Sequence, residues 1–382
     1  MCFRKRQVIY GSCSGGDTVG EKEYFLGWQI LLPGAAKKFW HLIKQFGSAA
    51  GAWNASESQL VSTGGFNPLQ AAEIASSRKS MHPKEELEKL SQMGINYIEF
   101  ENSAYPEILK NIFDPPPGIF MRGGICIGGQ LSVAVVGSRK PTPYGVAVAE
   151  RLASGLSSAG ITVVSGMARG IDTAAHKGAL KAGGGTIAVL GCGVDVVYPR
   201  ENKRIMEEIA SSGAVISEYP PGSEPVAWHF PVRNRIISGL SRAVVVVEAA
   251  ARSGALITAD IALEQGRDVM AVPGNISSPL SCGPNRLIKQ GARLVEGVAD
   301  IMDELGLDRL FSGVRETEKS YPRLTGDEDK LIKLLTLEPL ALDKLVEESG
   351  LATQQVLAAL MFLELKGLVR QLPGNYYMAD GL

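Results

Sequence analysis

Cysteine and histidine are scarce. The 382 residues hold five cysteines, at positions 2, 13, 126, 192 and 282, and four histidines. The cysteine count is odd and no pair has CxxC spacing, which argues against a disulfide framework and a zinc site. Free thiols in a reducing, cytoplasmic compartment fit best. No cluster of carboxylates and histidines suggests another metal, and no cofactor is expected. Apolar runs are short, and none approaches the roughly 20 residues a membrane span needs, so no membrane partner is expected. An excess of either charge is missing too. Lys and Arg number 39 against 40 Asp and Glu, a net charge of −1, which excludes binding of a polyanion by bulk charge alone. By segment, residues 1–110 carry 12 basic and 11 acidic groups, residues 131–310 carry 18 and 17, and residues 321–382 carry 6 and 9. Any anion site must therefore come from local placement of arginines.

Glycine is plentiful, at 44 residues, and the hydrophobic fraction is 45%, ordinary for a globular protein. The length suggests two or three domains. Residues 1–23 form a polar, glycine-rich head with the basic trio Arg4-Lys5-Arg6 and no apolar h-region, so it reads as a disordered tail and not as a secretory signal. Residues 24–100 read as a small all-α domain, with Leu26, Ile30, Phe39, Leu42, Ile43 and Phe46 at helical spacing. Within it, 31–38 (LLPGAAKK) resembles a helix-hairpin-helix turn whose usual second glycine is replaced near Ala36, and a plain packing hairpin is an equal reading. The proline-rich stretch 101–130 reads as a connector leading into a domain that runs to residue 310.

From 131 to about 305, short apolar β-branched runs alternate with amphipathic stretches. Strands are expected at Val133–Val136, Ile161–Ser165, Thr186–Leu190, Ala214–Ser217, Ala243–Val247, Asp268–Val272 and Arg293–Val295. Alternation of this kind predicts an α/β domain with a parallel sheet between helix layers. A polar linker over 311–324 separates it from 325–382, where three helices (Asp329–Thr336, Leu342–Ser349, Thr353–Leu365) and a hairpin turning at Pro373-Gly374-Asn375 give the order of a winged helix. Its third helix holds one lysine and one glutamate up to Lys366, so phosphate attraction would be weak and a protein-contact role fits better.

In an open parallel sheet, ligands sit beyond the carboxyl ends of the strands. An arginine follows nearly every expected strand, which puts Arg139, Arg169, Arg200, Arg233, Arg235, Arg252 and Arg286 on one edge. Neighbouring glycines admit a close backbone approach, and helix N-termini add N–H donors. This predicts a phosphate-binding edge built without net basic charge. Arg169, Arg200 and Arg286 read equally well as solvated, or as paired with Asp172, Asp195 or Glu201. The loop 137–145 is neither GxGxxG nor a P-loop, so the dinucleotide and P-loop fingerprints are missing. Catalytic groupings are missing as well: Ser138, Ser165 and Ser253 lack a GxSxG context, and Asp172 with His176 reads as a helix cap and a packed histidine. Trp228, His229, Phe230 and Tyr144 could stack bases or serve as core anchors.

Four blocks carry a resemblance: 133–145 (VAVVGSRKPTPYG), 164–176 (VSGMARGIDTAAH), 230–240 (FPVRNRIISGL) and 253–259 (SGALITA). In this order they resemble the signature blocks of the DNA-processing protein A (DprA/Smf) family, over roughly residues 24–380. The resemblance implies an extended Rossmann-like domain that binds single-stranded DNA, flanked by a SAM- or helix-hairpin-helix-like N-terminal domain and a C-terminal winged helix. It implies RecA recombinase loading during natural transformation, a homodimer, and no catalytic turnover. Its DNA pocket falls on Gly137, Ser138, Arg139, Arg233, Asn234, Arg235, Ser253, Gly254 and Thr258, to which the strand-end reading adds Arg169. Apolar helix positions between Ile261 and Leu294 are candidate dimer surface. Two alternatives stand beside this reading. One is a nucleoside-monophosphate phosphoribohydrolase, whose glycine-rich PGGxGTxxE turn corresponds to 253–259 here without its glutamate. The other is a transcription factor acting through the winged helix.

Overall fold

The computed structural model describes residues 20–124, 127, 129–307, 324–335 and 339–379. The tail and linker expected from the sequence fall almost wholly outside these residues. Six helices come first: α1 (Glu21–Leu31), α2 (Ala36–Phe46), α3 (Ala49–Trp53), α4 (Glu57–Ser62), α5 (Pro68–Ser80) and α6 (Pro83–Gln92). α1 thus begins inside the expected tail. The apolar faces of these helices close on Phe25, Leu26, Trp28, Phe39, Leu42 and Leu60, and Tyr97, Phe120 and Val194 of the following region join the same core. One amide fixes that junction. Gln29 is buried, and its Nε2 donates to the Gly118 carbonyl at 2.8 Å and the Glu218 carbonyl at 2.7 Å, while its Oε1 accepts from the Tyr97 hydroxyl at 2.9 Å. At the α1–α2 turn, Gly34 has φ +69°, and a Cβ there would lie 2.9 Å from the Tyr219 ring. Glycine alone meets both demands.

The chain then forms β1 (Asn96–Glu99), α7 (Glu107–Lys110) and β2 (Gly118–Gly123). The sequence places helix and connector here. The two strands pair antiparallel with each other, and β2 pairs antiparallel with the later strand at Ala214–Ser217. That partner lies about a hundred residues on, so no local pattern announces the pairing.

The alternating region follows as β3 (Ser132–Val136), α8 (Pro143–Ser158), β4 (Thr162–Ser165), α9 (Ile171–Lys181), β5 (Thr186–Leu190), α10 (Lys203–Ser212), β6 (Ala214–Ser217), α11 (His229–Gly239), β7 (Ala243–Val246), α12 (Gly254–Glu264), β8 (Asp268–Ala271), α13 (Cys282–Lys289), β9 (Arg293–Leu294) and α14 (Val298–Glu304). The nine-stranded sheet runs β1-β2-β6-β5-β4-β3-β7-β8-β9, and β3 to β9 are mutually parallel where they pair. Successive side chains face opposite layers. Val133, Val135, Val163 and Val245 pack under α8, α9 and α14, while Ala134, Val136, Val164, Val244 and Val246 pack under α11, α12 and α13. Both layers are apolar, which is why these strands read as unbroken hydrophobic runs. α11 starts at His229, directly after the exposed Trp228. Pro231 lies in its first turn, where a missing N–H breaks no bond.

The remaining residues form α15 (Gly326–Leu334), β10 (Leu340–Ala341), α16 (Leu342–Ser349), α17 (Thr353–Leu365), β11 (Val369–Leu372) and β12 (Tyr376–Ala379), with sheet order β10-β12-β11. This is a winged helix. The expected first helix at Asp329 begins three residues earlier, because Thr325 caps it in a reciprocal box with Glu328. The buried Glu328 carboxylate also accepts from Lys366 Nζ at 2.8 Å on both oxygens.

Candidate functional site

The chain builds outward from β3 through β4, β5 and β6, then returns to lay β7 on the other side of β3. The strand order reverses there, and a crevice opens beyond the carboxyl ends of β3 and β7. Two loops bound it, 137–142 after β3 and 247–253 after β7. They are tied together before any ligand arrives. Ser138 N–H donates to the Glu248 carbonyl at 2.6 Å, the Ser138 carbonyl accepts from Ile171 N–H at 3.1 Å, and Ser138 Oγ accepts from Lys140 N–H at 3.1 Å. The Glu248 carboxylate accepts from Thr142 N–H at 2.8 Å and Thr142 Oγ1 at 2.6 Å. Thr142 in turn caps α8 by accepting from Gly145 N–H at 3.1 Å. The glycines here serve packing. A Cβ on Gly137 would meet Ile171 and the Glu248 carbonyl, and one on Gly145 would meet the Glu248 carboxylate. Gly254 differs: nothing lies within 4 Å of its Cβ position, so the first turn of α12 faces open space.

The crevice holds a cleft of about 560 Å³, lined by Gly137, Ser138, Arg139, Asp172, Tyr198, Pro225, Ala227, Phe230, Arg233, Asn234, Ser253, Gly254, Ile257 and Thr258, among others. A second hollow of about 70 Å³ shares Arg139, Ala168, Tyr198 and Phe230 with it and reaches Arg169 and Cys192. Arg139 and Lys140 stand exposed on one rim and Arg252 on the loop before α12. Among the described residues none of the three has a carboxylate within ion-pair distance. The Arg139 guanidinium lies 5.4 Å from the centre of the Phe230 ring, and Phe230 also touches Tyr198 at 5.3 Å. Ser253 caps α12 by accepting from Ala255 N–H at 3.3 Å. Thr258 is buried beneath, its hydroxyl donating to the Gly254 carbonyl at 3.4 Å.

Three expected phosphate contacts are otherwise engaged. Arg233 is 3% exposed, and its Nη1 donates to the carbonyls of Gly166, at 2.8 Å, and Val189. It touches the cleft wall, but its guanidinium braces the ends of β4 and β5. Arg235 is two residues on, so α11 turns it to the opposite side. There it is buried between Glu218, at 2.6 Å, and Asp114, at 3.2 Å. Arg169 stays exposed and pairs with Glu201. Asn234 lines the cleft without a side-chain bond among the described residues.

Below the cleft floor is a titratable cluster. Burial raises the Asp172 carboxyl to about 6, against the opposing pull of Arg233 and of the Ala168 amide, which donates to it at 3.3 Å. Burial lowers Arg233 to about 10. His176 is pushed down to about 3, so it stays neutral. The Thr186 hydroxyl donates to the Val163 carbonyl at 2.7 Å, which leaves its oxygen to accept from His176 Nδ1 at 2.8 Å. His176 is therefore a packed residue, as the sequence suggests. The Cys192 thiol is raised by burial to about 11. Of the candidate aromatics, Phe230 faces the cleft, and Trp228 is 54% exposed beside it. His229 is buried and stacks on Tyr219 at 3.9 Å. Tyr144 donates to the Pro273 carbonyl at 3.3 Å. Sequence reasoning gave Glu248, Pro225 and Ala227 no place in the site. Only Glu248 carried a signal, as a carboxylate set directly after a fully apolar strand.

An open parallel sheet with a cationic, aromatic-walled cleft at its switch point, followed by a winged helix, defines a class of α/β nucleic-acid-handling proteins. The chain belongs to the DNA recombination-mediator protein A family: that family's model matches residues 96–306, and the DprA winged helix domain model matches residues 315–375. It is similar to Protein Smf of Synechocystis sp., 35% identical over 94% of this chain and 98% of that protein. It is also similar to DNA processing protein DprA of Bacillus subtilis, 39% identical over 72% of this chain and 92% of that protein. Among solved structures, DNA processing protein A from Streptococcus pneumoniae superposes with TM-score 0.66 at 37% identity, covering 75% of this chain and 98% of that one. The Helicobacter pylori protein, whose structure is described for its single-stranded DNA binding mode, superposes with TM-score 0.51 at 31% identity, covering 56% of this chain and 97% of that one.

Proposed function

We propose that this chain binds single-stranded DNA in the cleft between β3 and β7, protects it, and mediates RecA loading onto it during natural transformation. The observation that carries the reading is Arg139, a guanidinium with no ion-pair partner among the described residues, held over Phe230 at the cleft mouth. Phosphates would lie on Arg139, Lys140 and Arg252, with the open first turn of α12 offering further N–H donors. A base would lie against Phe230. A single strand can present a base face to such a ring, whereas a duplex keeps its faces stacked. Glu248 counts against the phosphoribohydrolase reading, because both its carboxylate oxygens are engaged by Thr142. A homodimer is supported by Leu263, an apolar side chain left exposed on α12, and by Leu294 on the edge strand β9.

Fluorescence anisotropy of a labelled single strand, with an equal-length duplex as control and at two salt concentrations, tests the proposal. Arg139→Ala should weaken single-strand binding about tenfold or more. With about three cations engaged, the slope of log affinity against log salt should be about −2. Equal binding of strand and duplex, or an unaffected variant, would refute the site.

A further inference from the structure

We propose that the single strand does not stop at the cleft but continues over the 225–228 loop onto the basic face of α2 in the helical domain, which forms a second, separate phosphate-binding surface. This rests on the cleft reading and extends it. From Tyr24 to Ser56 the chain has three lysines and no aspartate or glutamate. All three lie on α2. Lys37, His41 and Lys44 recur at i, i+4 and i+7, with Lys38 beside them, so they share one exposed face. Among the described residues none of the three lysines has an acidic partner. Lys37 sits 5.2 Å from the ring of Phe113, which is 88% exposed. A lysine face beside a bare aromatic is the combination that holds a strand by its phosphates and its bases.

The two surfaces are joined through one residue. Tyr219 carries the Gly34 turn that opens α2, where a Cβ would come within 2.9 Å of its ring. The same ring stacks on His229 at 3.9 Å and meets Trp228 edge-on at 6.5 Å. Trp228 directly follows Ala227 and lies two residues before Phe230, both of which line the cleft. The Tyr219 ring thus connects exposed Trp228, two residues before half-buried Phe230, to the turn that opens α2, three residues before Lys37 and its neighbour Phe113. Nearby carboxylates are mostly engaged: Asp114 with Arg235, Glu107 with Lys110, and Asp195 with the Gly222 amide. Glu224, directly before the bridging loop, is an exposed carboxylate.

Oligonucleotide length separates the two surfaces. Full-length protein is titrated with strands of about 6 and about 20 nucleotides, bracketing a single pocket and an extended track. The variants are Lys37→Glu/Lys38→Glu, Phe113→Ala and Arg139→Ala, and circular dichroism confirms that each folds. The lysine pair should lower affinity for the long strand about fivefold to tenfold, flatten its salt slope by about 1 to 1.5, and leave the short strand unchanged. Phe113→Ala should weaken the long strand alone, about threefold or more. Equal affinity of wild type for both lengths, or lysine variants that bind the long strand like wild type, would overturn the track while Arg139→Ala still weakens short-strand binding. If Arg139→Ala binds both lengths like wild type, the cleft reading itself fails.

Discussion

Arg233 and Arg235 stand two residues apart in one helix, and the helix sends them to different interiors. Arg233 braces two strand-end carbonyls above a buried Asp172. Removing it would leave those carbonyls and that carboxylate without a cationic partner. Arg233→Ala should cost about 3 kcal/mol or more in chemical denaturation. Arg139→Ala, on the exposed rim, should leave the midpoint nearly unchanged. A stable Arg233→Ala protein with weakened DNA binding would return Arg233 to direct phosphate contact. Asp172 adds a pH signature. Its folded-state value, about 6, lies above the free-carboxylate 3.8, so the folded protein holds the proton more tightly than the unfolded chain. Its contribution to stability is fullest below 3.8 and declines as pH rises through about 6. The urea midpoint of wild type relative to Asp172→Asn should therefore fall as pH rises across that window. A constant difference would mean that folding does not raise the proton affinity of Asp172.

At the scale of elements, the loop after β3 is held by the carboxylate after β7. Glu248→Ala should release Thr142, loosen the α8 cap and lower stability by about 1–2 kcal/mol. It should also weaken single-strand binding, because Arg139 rides on the freed loop. An unchanged affinity would show that the loop keeps its shape without this anchor. The parallel strands are legible because burial on both faces leaves continuous apolar, valine-rich runs, such as 133–136 and 243–246. β1 and β2 are not, since each takes its strand character from an antiparallel partner distant in sequence. In the site, Arg139, Ser253 and Gly254 were legible from their place after strands. The fates of Arg233 and Arg235 were not. Glu218 and Asp114, which claim Arg235, lie 17 and 121 positions away, and no local pattern records such a meeting.

For the whole molecule, the winged helix contrasts with the cleft. α17, the element that would enter a DNA groove, exposes Leu357, Met361, Phe362 and Leu365, and residues 321–382 carry 6 basic against 9 acidic groups. A chain ending at residue 307 should bind single strands within about twofold of the full protein. A loss beyond tenfold would assign the winged helix a direct DNA contact. Of the four tryptophans, Trp28 is buried in the helical domain's apolar core, Trp40 and Trp53 pack partly buried against it, and the fourth is Trp228. With half its surface in solvent, Trp228 should emit furthest to the red and be the most readily reached by acrylamide, while Trp28 stays blue-shifted and shielded and Trp40 and Trp53 lie between. The protein thus carries its own optical reporter on the ridge between cleft and α2, and a strand crossing that ridge should announce itself by quenching without any label.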